Sequence, residues 1–322
     1  MIYTQILGTG SYVPKKVLTN NDLKAFVETN DEWIKSRTGI EERHIATDEK
    51  TLDLAYEASL KAIDSAKIDK SQIDLIIVAT VTPDFAFPAV SNLLQAKLGI
   101  EGITAFDINA ACSGFVYALQ IADKMIKSGA FNTVLIIGAE TLTRLTDWRD
   151  RNTCVLFGDG AGAMVIGRSE TNKIIDITTG SKGDTDMLLY CKNPELKDPS
   201  VNAISEQDHI HMKGSEVFKF ATRIMPKTVM TLLERNNITT EDLNCIIAHQ
   251  ANMRIIDKSA RDLKISMEKM YVNINKYGNT SAASVPIAID EAVRTNFLKR
   301  GDKFITVAFG GGLTWGGALI EY

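Results

Sequence analysis

One order of features is written twice along this chain, and that repetition limits its fold more than any single motif does. The first copy reads IDLIIVAT (73–80), TAFDINAACSG (104–114), FNTVLIIGAE (131–140) and GDGAGAMVIG (158–167). The second reads LNCIIAHQ (243–250), MYVNINKYGNTSA (270–282), DKFITVAFGG (302–311) and GGLTWGGALI (311–320). Runs such as LIIVA, VLIIGA and CIIA are short, rich in β-branched residues and flanked by turn formers, which suits strands covered on both faces. Between them lie helical periods: Leu52, Ala55, Ser59, Ala62 and Ala66 share one face, as do Phe115, Leu119, Ala122 and Ile126. Strands alternating with helices predict an α/β chain, here with two similar sheets packed about a pseudo-twofold axis and a site between the copies. The boundary falls near residue 170, giving segments 1–170 and 171–322, and the poorly periodic stretch 181–208 reads as a connecting excursion.

Composition narrows the setting. With 322 residues, 45% of them hydrophobic, the chain can build one large or two medium cores. A net charge of −4 gives no general attraction to nucleic acid or an anionic membrane. No signal peptide or membrane span is expected. The four cysteines, Cys112, Cys154, Cys191 and Cys245, are widely spaced and form no C-x-x-C pair, so reduced thiols in a cytoplasmic protein are expected. Asn279-Thr280-Ser281 fits a glycosylation acceptor pattern, but that modification needs the secretory route.

Cys112 follows a strand and opens a helix, in NAACSG. The positive end of the helix dipole and its free N–H groups lower the pKa of a thiol placed there, so Cys112 reads as a nucleophile; a buried structural cysteine fits the position equally. His249 ends a buried strand at its carboxyl end, where α/β proteins collect ligands. Asn279 lies near the slot in the second copy that Cys112 fills in the first, so Cys112, His249 and Asn279 can converge; alternatively, Gly278-Asn279 is merely a turn. His209 and His211 sit at strand spacing without a third ligand, and no metal is expected. GTGSYVP (8–14) lacks a third glycine and reads as a strand-end turn, not a dinucleotide loop.

INAACSGF, HQANMRII, YGNTSAAS and FGGGLTWG, in this order, closely resemble the thiolase superfamily, specifically β-ketoacyl-[acyl-carrier-protein] synthase III, and the likeness spans essentially the whole chain. The resemblance implies a thiolase-like fold: two similar βαβαβαββ halves packed as a five-layered α-β-α-β-α sandwich. It implies a fatty-acid-initiating condensation of an acyl-CoA with malonyl-[acyl-carrier protein], with Cys112, His249 and Asn279 catalytic and no cofactor. The backbone N–H groups of Cys112 and Gly311 would form the oxyanion hole. Trp33, Arg37 and Arg151 would bind coenzyme A, Phe87 would cross a homodimer interface to floor the partner's acyl pocket, and Arg254, Lys219 and Arg261 would dock the carrier protein. Asn152 stands where relatives often carry glycine. A synthase-III-like enzyme of a polyketide pathway and a non-catalytic acyl-binding paralogue remain the alternatives.

Overall fold

The structure, a computed structural model, describes residues 1–193 and 208–322. The chain begins with β1 (Tyr3–Tyr12), then β2 (Val17–Thr19), α1 (Asp31–Thr38) and β3 (Glu42–His44). It continues through α2 (Thr51–Ala66), β4 (Leu75–Ala79), α3 (Val90–Leu98), β5 (Thr104–Ile108), α4 (Gly114–Lys127), β6 (Thr133–Thr141) and β7 (Asp159–Ser169). Next come β8 (Ile174–Ser181), the short pair β9 (Leu189–Tyr190) and β10 (His211–Met212), and α5 (Gly214–Arg235). The order closes with β11 (Cys245–Ala248), α6 (Met253–Leu263), β12 (Met270–Tyr271), α7 (Ile274–Tyr277), α8 (Ser284–Arg294), β13 (Lys303–Gly310) and β14 (Thr314–Glu321).

The written repeat becomes two five-stranded sheets of the same topology. One is ordered β1-β7-β6-β4-β5; the other, read from its matching edge, is β8-β14-β13-β11-β12. In each, the last three strands run parallel and the first two pair antiparallel. The repetition therefore reaches one strand further than the sequence pattern did, because β1 and β8 correspond.

Period-two burial divides each strand between two helix layers. Leu75 and Ile77 of β4 face a central core while Ile76 and Val78 face an outer one, and Cys245 and Ile247 alternate with Ile246 and Ala248 in β11 in the same way. The central core holds α4 and α8, whose Phe115, Leu119, Val285 and Ile289 are buried in one cluster with residues of both sheets. Helices α2 and α3 cover the outer face of the first sheet, and α5 and α6 that of the second. The result is the five-layered thiolase-like sandwich.

Two details depart from the sequence reading. Gly8 and Gly10 lie within β1, not at its end: a Cβ on them would stand 2.3 Å from Ala66 N and 2.4 Å from Ala58 O. They let the backbone of α2 rest directly on the strand. The strand expected over MYVNI shortens to Met270–Tyr271 because the Gln250 carboxamide takes over the next backbone groups. Its Oε1 accepts from Asn273 N (3.0 Å) and Ile274 N (3.1 Å), and its Nε2 donates to Ala248 O and Tyr271 O.

Candidate active site

Helices α4 and α8 are each entered through one tight turn, Ala111–Ser113 and Ser281–Ala283. Each turn opens on a non-glycine residue in the left-handed region, Ala111 at φ 46° and Ser281 at φ 48°. Each is held by an asparagine two residues earlier: Ala111 N donates to Asn109 Oδ1 at 3.2 Å, and Ser281 N to Asn279 Oδ1 at 2.9 Å. The strict counterpart of Cys112 is therefore Ala282, and that of Asn279 is Asn109. This corrects the expected register by three residues, since matching turn conformations, not strand ends, set the equivalence. With Oδ1 engaged, Asn279 keeps its Nδ2 amide for the cavity it lines. Its backbone is clamped to the 156–158 segment, donating to Leu156 O (2.8 Å) and accepting from Gly158 N (3.1 Å).

His249 follows β11 and is 1% exposed. Its backbone N–H bonds Val307 O at 2.8 Å, and its ring packs edge-on against Phe309, centroids 5.4 Å apart. Neither ring nitrogen has a hydrogen-bond partner among the described residues. Burial pushes its pKa down to about 3, so the imidazole is neutral and carries one N–H donor.

Cys112, His249 and Asn279 all line one cavity of about 100 Å³, walled by Phe157, Leu189, Phe218 and Phe309. Cys112 also lines a larger cavity of about 740 Å³ on its other side, together with Ser281 and Gly311. The strand end β13 presses on the nucleophile: a Cβ at Gly310 would lie 2.8 Å from Cys112 N, so only glycine fits. The position at a helix end predicts a thiol lowered toward thiolate, and the structure corrects that expectation. At 8% exposure, desolvation outweighs the dipole, and the thiol is pushed up to about 11, with the Glu140 carboxylate adding to the rise and Ser281 opposing it.

A profile of 3-oxoacyl-[acyl-carrier-protein] synthase III matches residues 106–183, and a second, for the C-terminal part of the same enzymes, matches 233–322. A β-ketoacyl-[acyl-carrier-protein] synthase III of Xanthomonas campestris pv. campestris is 50% identical over 328 residues, spanning 100% of this chain and 99% of its own. The chain belongs to the 3-oxoacyl-[acyl-carrier-protein] synthase III family.

Synthase III of Aquifex aeolicus VF5 superposes with a TM-score of 0.93 at 49% identity, covering 99% of this chain and 100% of its own. The priming β-ketosynthase of the R1128 polyketide pathway superposes at 0.92 with 34% identity, over 99% and 96% of the two chains. Like its synthase III relatives, the chain is an acyltransferase-type condensing enzyme that initiates fatty-acid synthesis.

On this synthase III chain the other expected residues lie around the two cavities or on the surface. Trp33, on α1, has the Arg151 guanidinium 4.7 Å from its ring centre, and Arg151 also donates to Glu28 O at 3.2 Å. Arg37 is exposed in the last turn of α1, and its carbonyl accepts from Asn252, which caps α6. Asn152 folds back on Asp150, its N and Nδ2 at 2.9 and 3.0 Å from Oδ1. Phe87 is 87% exposed and lines neither cavity, although Phe85 and Ala86 line the larger. Arg254 lies over Phe218, a wall of the smaller cavity, at 5.3 Å and forms no ion pair among the described residues. Lys219 and Arg261 are exposed but each is paired within its own helix, to Glu216 and Asp257, both at 2.8 Å. His211 stacks on Tyr190 and pairs with Asp208, and no group of three potential metal ligands occurs among the described residues.

The sequence reading did not single out Glu140, Ser281 or Gln250. Glu140 carried a usable signal, a carboxylate ending an otherwise apolar buried run, VLIIGAE.

Proposed function

We propose that this enzyme condenses a short acyl-CoA primer with malonyl-[acyl-carrier protein] by a ping-pong route through acyl-Cys112. The observation that carries the reading is the shared small cavity, in which Cys112 meets Asn279 and a His249 ring without a hydrogen-bond partner among the described residues. Cys112 attacks the acyl thioester, and the backbone N–H groups of Cys112 and Gly311 receive the charge on the carbonyl oxygen. Coenzyme A leaves and malonyl-carrier protein enters. Loss of CO₂ places negative charge on the thioester oxygen, where His249 and Asn279 donate. A neutral imidazole suits this task, since it already carries an N–H and donates without first taking up a proton. The carbanion then attacks the acyl-Cys112 carbonyl and releases the 3-oxoacyl carrier.

The smaller cavity, bordered by Phe218, Asn252 and Ile255, is read as the route of the pantetheine arm, and the larger one as the acyl pocket. Trp33, Arg151 and Arg37 would hold the adenine and phosphates. Arg254 would receive the acidic carrier at the mouth of the same route, with Lys219 and Arg261 in support. In a cytoplasmic homodimer, Phe87 would close the partner's larger cavity, which explains an aromatic ring left in solvent. The break between the two halves is placed near residue 170. Likeness to the R1128 priming ketosynthase supports a second reading that differs in pathway and primer.

Mass spectrometry after mixing with acetyl-CoA tests the first step. An acetyl adduct that disappears in Cys112→Ser is expected, and an adduct that persists unchanged there overturns the reading. Acylation rates across a panel of primers separate the two pathways.

A further inference from the structure

Thr314 opens β14, and its hydroxyl reaches two backbone carbonyls at once: Ala110 O at 2.9 Å and Gly311 O at 3.0 Å. Ala110 lies two residues before Cys112, at the entry to the turn that opens α4, and Gly311 lies in the hairpin that joins β13 to β14. These are the two segments whose N–H groups, Cys112 N and Gly311 N, are read as the oxyanion hole. They press together at Gly310, where a Cβ would stand 2.8 Å from Cys112 N. Such a contact sets how near two backbones come, but not how their peptide planes are turned. Hydrogen bonds to the carbonyls do that. The peptide unit between Ala110 and Ala111 is held at both polar ends: its N–H donates to Asn109 Oδ1 at 3.2 Å, and its carbonyl accepts from Thr314 and from Ser113 N at 3.1 Å. Ala111 itself stands at φ 46°, a conformation a non-glycine residue keeps only where its surroundings hold it.

The second copy builds the same turn without this tie. Strand β7 corresponds to β14, and its first residue, Asp159, pairs with Thr141 as Thr314 pairs with Gly310. The Asp159 carboxylate is spent as an acceptor, from Ala46 N (2.8 Å), Thr143 N (2.9 Å) and Thr143 Oγ1 (2.5 Å). The Thr280 carbonyl, counterpart of Ala110 O, accepts from Ala283 N at 3.1 Å and from no side chain among the described residues. A hydroxyl joining hairpin to turn is therefore found in the copy that carries Cys112.

We propose that Thr314 is a positioning residue that sets the two oxyanion donors relative to each other, a proposal that rests on the reading of Cys112 N and Gly311 N as receivers of the carbonyl charge. One proton shared between two carbonyls fixes the tilt of the 110–111 peptide, which leads towards Cys112 N, and of the 311–312 peptide, which follows Gly311 N. Because that proton is engaged, Thr314 acts through the backbone it holds and not on the substrate. Replacing the hydroxyl by a methyl turns the tie into a wedge, since a carbon needs about 3.3–3.6 Å from a carbonyl oxygen, and both acceptors are pushed outwards.

Single-turnover acylation of the full chain by acetyl-CoA, read by mass spectrometry, tests the tie in Thr314→Val and Thr314→Ser, with iodoacetamide alkylation of Cys112 followed in parallel. Alkylation displaces iodide from a saturated carbon and develops no charge on a carbonyl oxygen, so it reports only the access and reactivity of the thiol. Thr314→Val is expected to acylate about 10-fold more slowly, part of the roughly 10²–10³-fold cost of losing a whole oxyanion donor, while alkylation stays within about twofold. Thr314→Ser keeps the hydroxyl and should acylate within about threefold of wild type. Acylation by Thr314→Val within about twofold of wild type overturns the proposal, as does a parallel fall in its alkylation or a Thr314→Ser as slow as Thr314→Val. Should Thr314→Val fail to fold, Thr314→Ala is judged by the same ratio of acylation to alkylation. A wild type that forms no acetyl adduct at Cys112 would instead count against the condensing mechanism.

Discussion

The Arg151 guanidinium carbon stands 4.7 Å from the centre of the Trp33 ring, so the two groups that would clamp an adenine are already stacked on each other. A flat ring held between two faces needs them about 7–8 Å apart, twice an optimal carbon contact. To clamp an adenine between them, Arg151 would have to swing aside and trade its Trp33 contact for one with the base. Arg151→Ala should weaken coenzyme A thioester binding modestly, raising KM about threefold, because the lost stack is offset by an uncovered Trp33. Trp33→Ala should raise it about tenfold or more, with kcat little changed. Equal effects would mean the pair acts only as one surface contact.

Asn279→Ala should slow decarboxylation of malonyl-carrier protein about 100-fold, the scale of losing one donor to a developing oxyanion. Acylation of Cys112 should stay within a few-fold. Single-turnover assays of the two half-reactions make the comparison. Equal damage to both would show that the carboxamide's main work is its bond to Ser281 N, which holds the turn.

Two buried groups pull stability in opposite directions with pH. His249 falls to about 3 from the ordinary 6.5, so the unfolded chain binds the extra proton and stability is lost as pH drops below 6.5. Glu140 rises to about 7 from 4.5, so the folded chain holds the extra proton and stability is lost as pH climbs from 4.5 towards 7. Between about 4.5 and 6.5 the two slopes oppose each other. Urea midpoints of Glu140→Gln should therefore rise with pH across that window more steeply than wild type, and those of His249→Asn should fall.

Charge reversal at the carrier face should be uneven. Arg254→Glu is expected to raise KM for malonyl-carrier protein about tenfold while leaving acylation by acetyl-CoA unchanged. Lys219→Glu and Arg261→Glu should change it about two- to threefold, since each cation already neutralises an acid one turn away. Steady-state kinetics at two salt concentrations suffice, and an Arg254 variant with unaltered KM removes that residue from the docking surface.

The layers and the meeting of Cys112, His249 and Asn279 in one cavity were legible because their signals are local. Alternation in LIIVA and CIIA places each strand between two helix layers, and Cys112 and His249 each follow the carboxyl end of a strand. What stayed hidden depends on contacts between distant segments or on backbone angles. Strand β6, which ends on Glu140, comes to rest on the second copy's turn only through packing between distant segments. The equivalence of Asn279 with Asn109 shows in a φ angle and one hydrogen bond, neither of which has a spacing signature. The high thiol pKa follows from burial, which a position at a helix end does not report.

Gln250 has a consequence for its neighbour. Its carboxamide spans β11, β12 and the start of α7, and its backbone N–H bonds Ser284 Oγ at the head of α8. His249, one residue back, has a ring with no polar partner among the described residues, so its aim rests on Phe309 and on the backbone that Val307 and Gln250 hold. If His249 donates as proposed, the entropy of aiming that donor is lost once, during folding, and not again at every turnover.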